Sequence, residues 1–80
     1  MVSIRYWAGA KAAAGVEHED IEASSIEAAL TEARNRRPAL APVLPASSVL
    51  LDGVTVDAAK RAEELSGPVS VEVLPPFAGG

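Results

Sequence analysis

Residues 24–38 read SSIEAALTEARNRRP and hold the longest stretch of sustained helical pattern in the sequence. Ser24 followed three residues later by Glu27 matches a capping box, in which each side chain satisfies a free backbone amide at a helix start. Ile26, Ala29, Leu30 and Ala33 then fall at i, i+3, i+4 and i+7, so the helix is expected to present one apolar stripe. Arg34, Arg36 and Arg37 lie near its negative end, where cations are favoured, and Pro38 stops it. A helix with a single apolar face must cover another element, and the flanking residues decide which kind.

Those flanks read as strands. From residue 2 to residue 8, Val2, Ile4 and Tyr6 alternate with Ser3, Arg5 and Trp7, the period-two pattern of a half-buried strand. Residues 9–15 are alanine-rich between two glycines and fit a loop or a single helical turn. Residues 16–22 are extended again, and their charge places that strand at a sheet edge. Beyond the helix, residues 38–45 carry three prolines among apolar side chains, an ordered connector expected to pack through Leu40, Val43 and Leu44. Residues 48–51 and 54–57 flank Asp52-Gly53, a two-residue hairpin signal. Residues 58–66 allow a helical turn, and Val69, Val71 and Val73 alternate with Ser70, Glu72 and Leu74 in a last strand rich in β-branched side chains.

The order is strand, strand, helix, strand, strand, strand. It predicts an α+β chain of the β-grasp (ubiquitin-like) kind, a mixed sheet of about five strands with one main helix across one face. Residues 1–74 are expected to form that domain and residues 75–80 an extended C-terminal diglycine tail.

Eighty residues make one small core. Sixteen of the 39 apolar residues are alanine, which buries little area, so the core must rest on Val, Leu and Ile. The net charge of −4 argues against nucleic acid and anionic membranes as partners. The absence of cysteine removes disulfides and thiolate metal sites. No apolar run approaches the roughly 18 residues of a membrane span, nor does the start have the layout of a signal peptide, so the expected location is cytoplasmic.

The last strand runs into Leu74-Pro75-Pro76-Phe77-Ala78-Gly79-Gly80, where the sequence ends. Two prolines withhold amide donors from a continuing sheet and favour an extended path, and six extended residues reach roughly 20 Å. Glycines lack Cβ atoms, so they pass a constriction and leave the Gly80 carboxylate open to chemistry. A carboxylate is inert until activated, for instance as a mixed anhydride with AMP. The sequence has no GxxxxGK phosphate loop and no arguable Ser-His-Asp set, so activation would fall to a separate enzyme. Phe77 can cap the domain's own core or anchor a partner contact, and the second use suits an aromatic beside a diglycine.

On these residues the sequence resembles the MoaD/ThiS group of ubiquitin-like sulfur carriers, and within it the MoaD branch, the small subunits of molybdopterin synthase. Residues 2–8 look like the family's first strand, Leu30 lies on the matching helix, and residues 74–80 look like its terminal signature. The sequence departs from the family pattern at Trp7, usually phenylalanine, at Asp52, usually asparagine, and at Pro68, usually acidic. The resemblance implies a carrier that is no enzyme on its own. A MoeB-like ubiquitin-activating-type enzyme, using ATP and magnesium, would adenylate Gly80, with Gly79 beside it. A sulfur donor protein would then make a thiocarboxylate, which a MoaE-like large subunit would use to put sulfur on a pterin precursor for the molybdenum cofactor. Leu74, Pro75, Pro76, Phe77 and Ala78 would contact the partner; no metal or cofactor is expected on this chain. The same features fit a sulfur carrier for thiazole or cysteine biosynthesis, or a ubiquitin-like protein modifier.

Two other groupings are weighed. His18 sits among Glu17, Glu19, Asp20 and Glu22, but alternation splits these between two faces and no second imidazole exists, so a solvated charged strand is expected rather than a metal site. The three arginines of residues 34–37 could meet a partner's acids, although helix-end electrostatics accounts for them.

Overall fold

Val2, Ile4 and Tyr6 are fully buried, and they fix the inward face of the first strand, β1 (Val2–Tyr6). The computed structural model describes residues 1–76. In chain order, β1 is followed by α1 (Ala8–Ala14), β2 (His18–Ile21), α2 (Ile26–Arg36), two 3₁₀ turns (Pro38–Leu40 and Leu44–Ala46), β3 (Ser48–Leu51), β4 (Val54–Thr55), α3 (Ala58–Ala62) and β5 (Val69–Leu74). The strands form one sheet in the order β2-β1-β5-β3-β4. β1 and β5 are parallel; β2 runs antiparallel to β1, and β3 antiparallel to both β4 and β5. This is the expected mixed α+β sheet with its main helix across one face.

The last strand begins and ends where alternation places it, and it lies at the centre of the sheet, with Val71 and Val73 buried. The charged β2 lies at an edge, as its composition requires. Ile26, Ala29, Leu30 and Ala33 of α2 are buried against the sheet. The proline-rich connector is ordered, and Leu40 and Leu44 enter the same core cluster as Val2 and Val49. Asp52 and Gly53 both adopt positive φ, 52° and 80°, the twist a two-residue hairpin needs.

Several boundaries differ from the sequence reading for local reasons. β1 stops at Tyr6 because Ala8 turns to φ 48° and the Trp7 carbonyl accepts from the amides of Ala10 and Lys11, opening α1. β4 ends at Thr55 because Asp57 caps α3, its side chain accepting from the Lys60 amide at 2.8 Å. The helix cap is also one residue later than the capping-box pattern indicates. Ser25 Oγ accepts from the Ala28 amide at 3.0 Å, while the Ser24 carbonyl accepts from Leu65 at 2.8 Å and is held to the loop before β5. Of the expected tail, residues 75–80, the part from residue 77 onward lies outside the described residues.

Candidate functional site

The sequence directs attention to the end of β5, and the topology explains what that end offers. β5 is paired on both sides up to its last residues: Tyr6 of β1 lies opposite Val73, and Ser48 of β3 lies opposite Leu74. The Trp7 amide donates to the Val73 carbonyl at 3.2 Å. Pro75 and Pro76 follow and have no N–H to offer either neighbour, so the ladder stops there. Leu74 is 37% exposed, Pro75 is half-buried and Pro76 exposed. Phe77, Ala78, Gly79 and Gly80, the remaining residues of the expected site, lie outside the described residues.

Trp7, which alternates with the inward residues of the first strand, also lies at this end. Its side chain is 42% exposed and lies on the face of the sheet away from the helices. Indole Nε1 donates to Glu72 Oε1 at 2.8 Å, and the Arg5 guanidinium sits 5.7 Å from the ring centroid, a cation–π contact of about 0.5–1 kcal/mol at an exposed site. Thus Trp7 is a fixed apolar surface next to the point where β5 ends. Beside it, Arg5, His18 and Glu72 line a shallow concavity of about 530 Å³.

Beneath that end lies a polar network. Tyr6, fully buried as a ring, donates its hydroxyl to Glu19 Oε2. Arg37 Nε donates to the same oxygen at 3.0 Å, Nη2 to Oε1 at 3.3 Å, and Nη1 to the Ala14 carbonyl at 2.9 Å. Arg36 Nη1 lies 3.7 Å from Glu19 Oε1. The Glu19–Arg37 pair therefore ties β1, β2, the end of α1 and the end of α2 together. Burial raises the Glu19 carboxyl, but hydrogen bonds from Arg37 and Tyr6 and the nearby charges outweigh it and hold the group below its ordinary range. Burial, then the bond to Glu19, pushes the Tyr6 hydroxyl well above its ordinary value.

This corrects two sequence expectations. Glu19 is not part of a solvated face, since its side chain is only 9% exposed, and Arg37 is held by this network rather than left to the helix end alone. The signal was present: Ile21 points inward, so Glu19, two residues earlier on the same strand, must too. His18 is exposed on the opposite face, and among the described residues no group of three His, Cys, Asp or Glu is placed to hold a metal ion.

No protein-family model matches the sequence, and no curated protein sequence matches it significantly. Solved structures do. Small archaeal modifier protein 1 from Methanosarcina acetivorans superposes with a TM-score of 0.83 at 19% identity, covering 99% of this chain and 95% of that one. The protein of the same description from Haloferax volcanii gives 0.75 at 20% identity, covering 99% and 98%. A chain from the complex of subunits 1 and 2 of molybdopterin-converting factor from Helicobacter pylori gives 0.70 at 20% identity, covering 99% and 97%. At such identities the likeness speaks for architecture alone: this chain has the β-grasp (ubiquitin-like) fold that those small modifiers and that converting-factor chain also have.

Proposed function

We propose that this protein is a sulfur carrier whose working group is the Gly80 carboxylate, adenylated by a separate activating enzyme and then converted to a thiocarboxylate. The observation that carries the reading is the geometry of β5. The central strand of a β-grasp sheet ends in an exposed Leu74 and two prolines that cannot pair, and its sequence continues Phe77-Ala78-Gly79-Gly80. A rigid body with such an exit can hold a side-chain-free terminus at a distance while the chemistry is done in a partner's pocket. The carrier's side chains contribute no acid or base; its part is the acyl group of Gly80 and the tether that presents it. Attack on the acyl adenylate by hydrosulfide, or by a donor persulfide whose S–S bond a further thiol then reduces, expels AMP and leaves the thiocarboxylate; its sulfur then attacks an acceptor, and water cleaves the C–S bond to return the Gly80 carboxylate. The resemblance of residues 74–80 to the MoaD branch makes a pterin precursor on a MoaE-like large subunit the proposed destination. The likeness to a chain from a two-subunit converting factor supports such a partner.

Intact-mass spectrometry tests this. After incubation with a MoeB-like enzyme, ATP, magnesium and a sulfur donor, the mass should rise by about 16 Da as sulfur replaces oxygen at Gly80. An unchanged mass under conditions that sulfurate a known carrier would end the proposal.

A second reading, a protein modifier joined through Gly80 to lysines, is favoured by the TM-score of 0.83 to a small archaeal modifier. Its signature differs. Arg61 is the last trypsin site, so modified lysines would carry residues 62–80 as their remnant.

A further inference from the structure

Charge is unevenly distributed along this chain. Charged residues make up 22% of it, yet residues 38–51 and 73–80 contain none and residues 6–16 contain only Lys11. The fold brings parts of all three segments to the end of β5. β1 runs parallel to β5, so the residues that leave β1, Trp7 to Gly9, lie on one side of that end, where the Trp7 amide donates to the Val73 carbonyl. β3 runs antiparallel to β5 with Ser48 opposite Leu74, so Ala46 and Ser47, which lead into β3, flank the other side. α1 packs against the first 3₁₀ turn of the same connector. Ala8, Gly9, Ala46 and Ser48 are exposed, as are Trp7 and Leu74. The charges that border this ring are engaged: Glu72 accepts from the Trp7 indole, and Arg5 and Lys11 pair with Glu17.

We infer that this uncharged collar is the seat for the rim of the partner pocket that receives the tail, and that the rim is a protein surface of small and aliphatic side chains without charge. The inference rests on the reading of Gly80 as the working group. Leu74 is the last residue held in the sheet, and the six residues after it reach roughly 20 Å. A pocket deep enough to use that reach draws its rim against the residues around Leu74. A charge covered there would have to shed its water, and the covered centres of interfaces are depleted of charge for that reason. Alanine, glycine and serine carry no such cost, and their small size lets a partner's backbone come close. Trp7, already held by Glu72 and Arg5, has little freedom left to lose and serves as the anchor of the ring. A charged rim would find no counter-charge on the collar, so such a partner is disfavoured.

ATP–pyrophosphate exchange by a MoeB-like enzyme, with ATP and magnesium saturating and the whole protein varied in concentration, gives KM and kcat for each variant. A46E and G9E place a charge on opposite sides of the collar, on the second 3₁₀ turn and on α1, and a side chain at Gly9 meets nothing within 4 Å at its first carbon. Far-UV circular dichroism checks that each variant is folded. Both should raise KM about tenfold or more and leave kcat within about twofold, because binding is lost while Gly80 is unchanged. A46K should do the same, since either sign of charge must be desolvated. A46Q, which matches glutamate in size, and A28E, which adds the same charge to the exposed face of α2, should stay within about twofold of the unaltered protein. A46E and G9E with unchanged KM overturn the inference and leave the Gly80 reading standing. So does A46Q as weak as A46E, which would make size the cause, or A46K binding more tightly, which would make the rim acidic. No exchange from the unaltered protein, under conditions that activate a known carrier, overturns the Gly80 reading and the collar with it.

Discussion

Replacing Tyr6 with phenylalanine removes one oxygen from the interior and leaves the buried ring in place. The lost bond runs to an ionised acceptor, Glu19, and such bonds contribute about 1.5–3 kcal/mol. The lower part of that range applies, because Glu19 keeps Arg37 at 3.0 and 3.3 Å and Arg36 at 3.7 Å, so no lone charge is left buried. The expected loss is about 1–2 kcal/mol, or roughly 4–16 °C in Tm for a domain of this size. Urea unfolding followed by far-UV circular dichroism measures it. The pH dependence is the sharper check. Glu19 has a lowered pKa in the folded state, so its contribution is complete above the unfolded carboxylate range near about 4.3 and is lost as pH falls through the folded value. Tyr6 has a raised one, so its contribution is complete below about 10 and is lost as pH rises through the folded value. The difference between the native protein and Y6F should therefore be flat from about pH 6 to 9 and shrink toward both extremes. A loss under about 0.5 kcal/mol at pH 7, or one that stays constant down to pH 2, would refute the account of this network.

Five further substitutions test three separate parts of the structure. S25A should cost about 1 kcal/mol by removing the cap bond to Ala28, while S24A should cost a few tenths, because only the Ser24 carbonyl is used; paired urea curves decide it. A8G should be neutral or stabilising by up to about 1 kcal/mol, since Ala8 sits at φ 48°, whereas A12G in the same helix should cost about 0.5–1 kcal/mol. L40A should cost about 2–5 kcal/mol if the proline-rich connector belongs to the core, as the complete burial of Leu40 requires; a loss near zero in thermal unfolding would mean that the connector is only a linker.

What could be read in the chain was local. The alternation of Val69, Val71 and Val73 set β5, the i, i+3, i+4, i+7 stripe set the buried face of α2, and Asp52-Gly53 set the hairpin, because each depends on neighbours within a turn or a strand. The order of those elements was enough for the fold class. Adjacent serines were beyond such reading: Ser24 and Ser25 are chemically alike, and only the docking of Leu65 onto the Ser24 carbonyl decides which one caps.

The sequence alone determined the alternation, the helix stripe and the composition of residues 74–80, on which the proposed chemistry at Gly80 rests. Tertiary structure decided what joins distant residues: Glu19 with Arg37 and Tyr6, and Trp7 with Glu72. The reason is physical. A period of two or 3.6 assigns a side chain to a face, but which charge meets it there depends on how the end of α2 and the helix α3 settle on the sheet, and that is fixed by packing of the whole core.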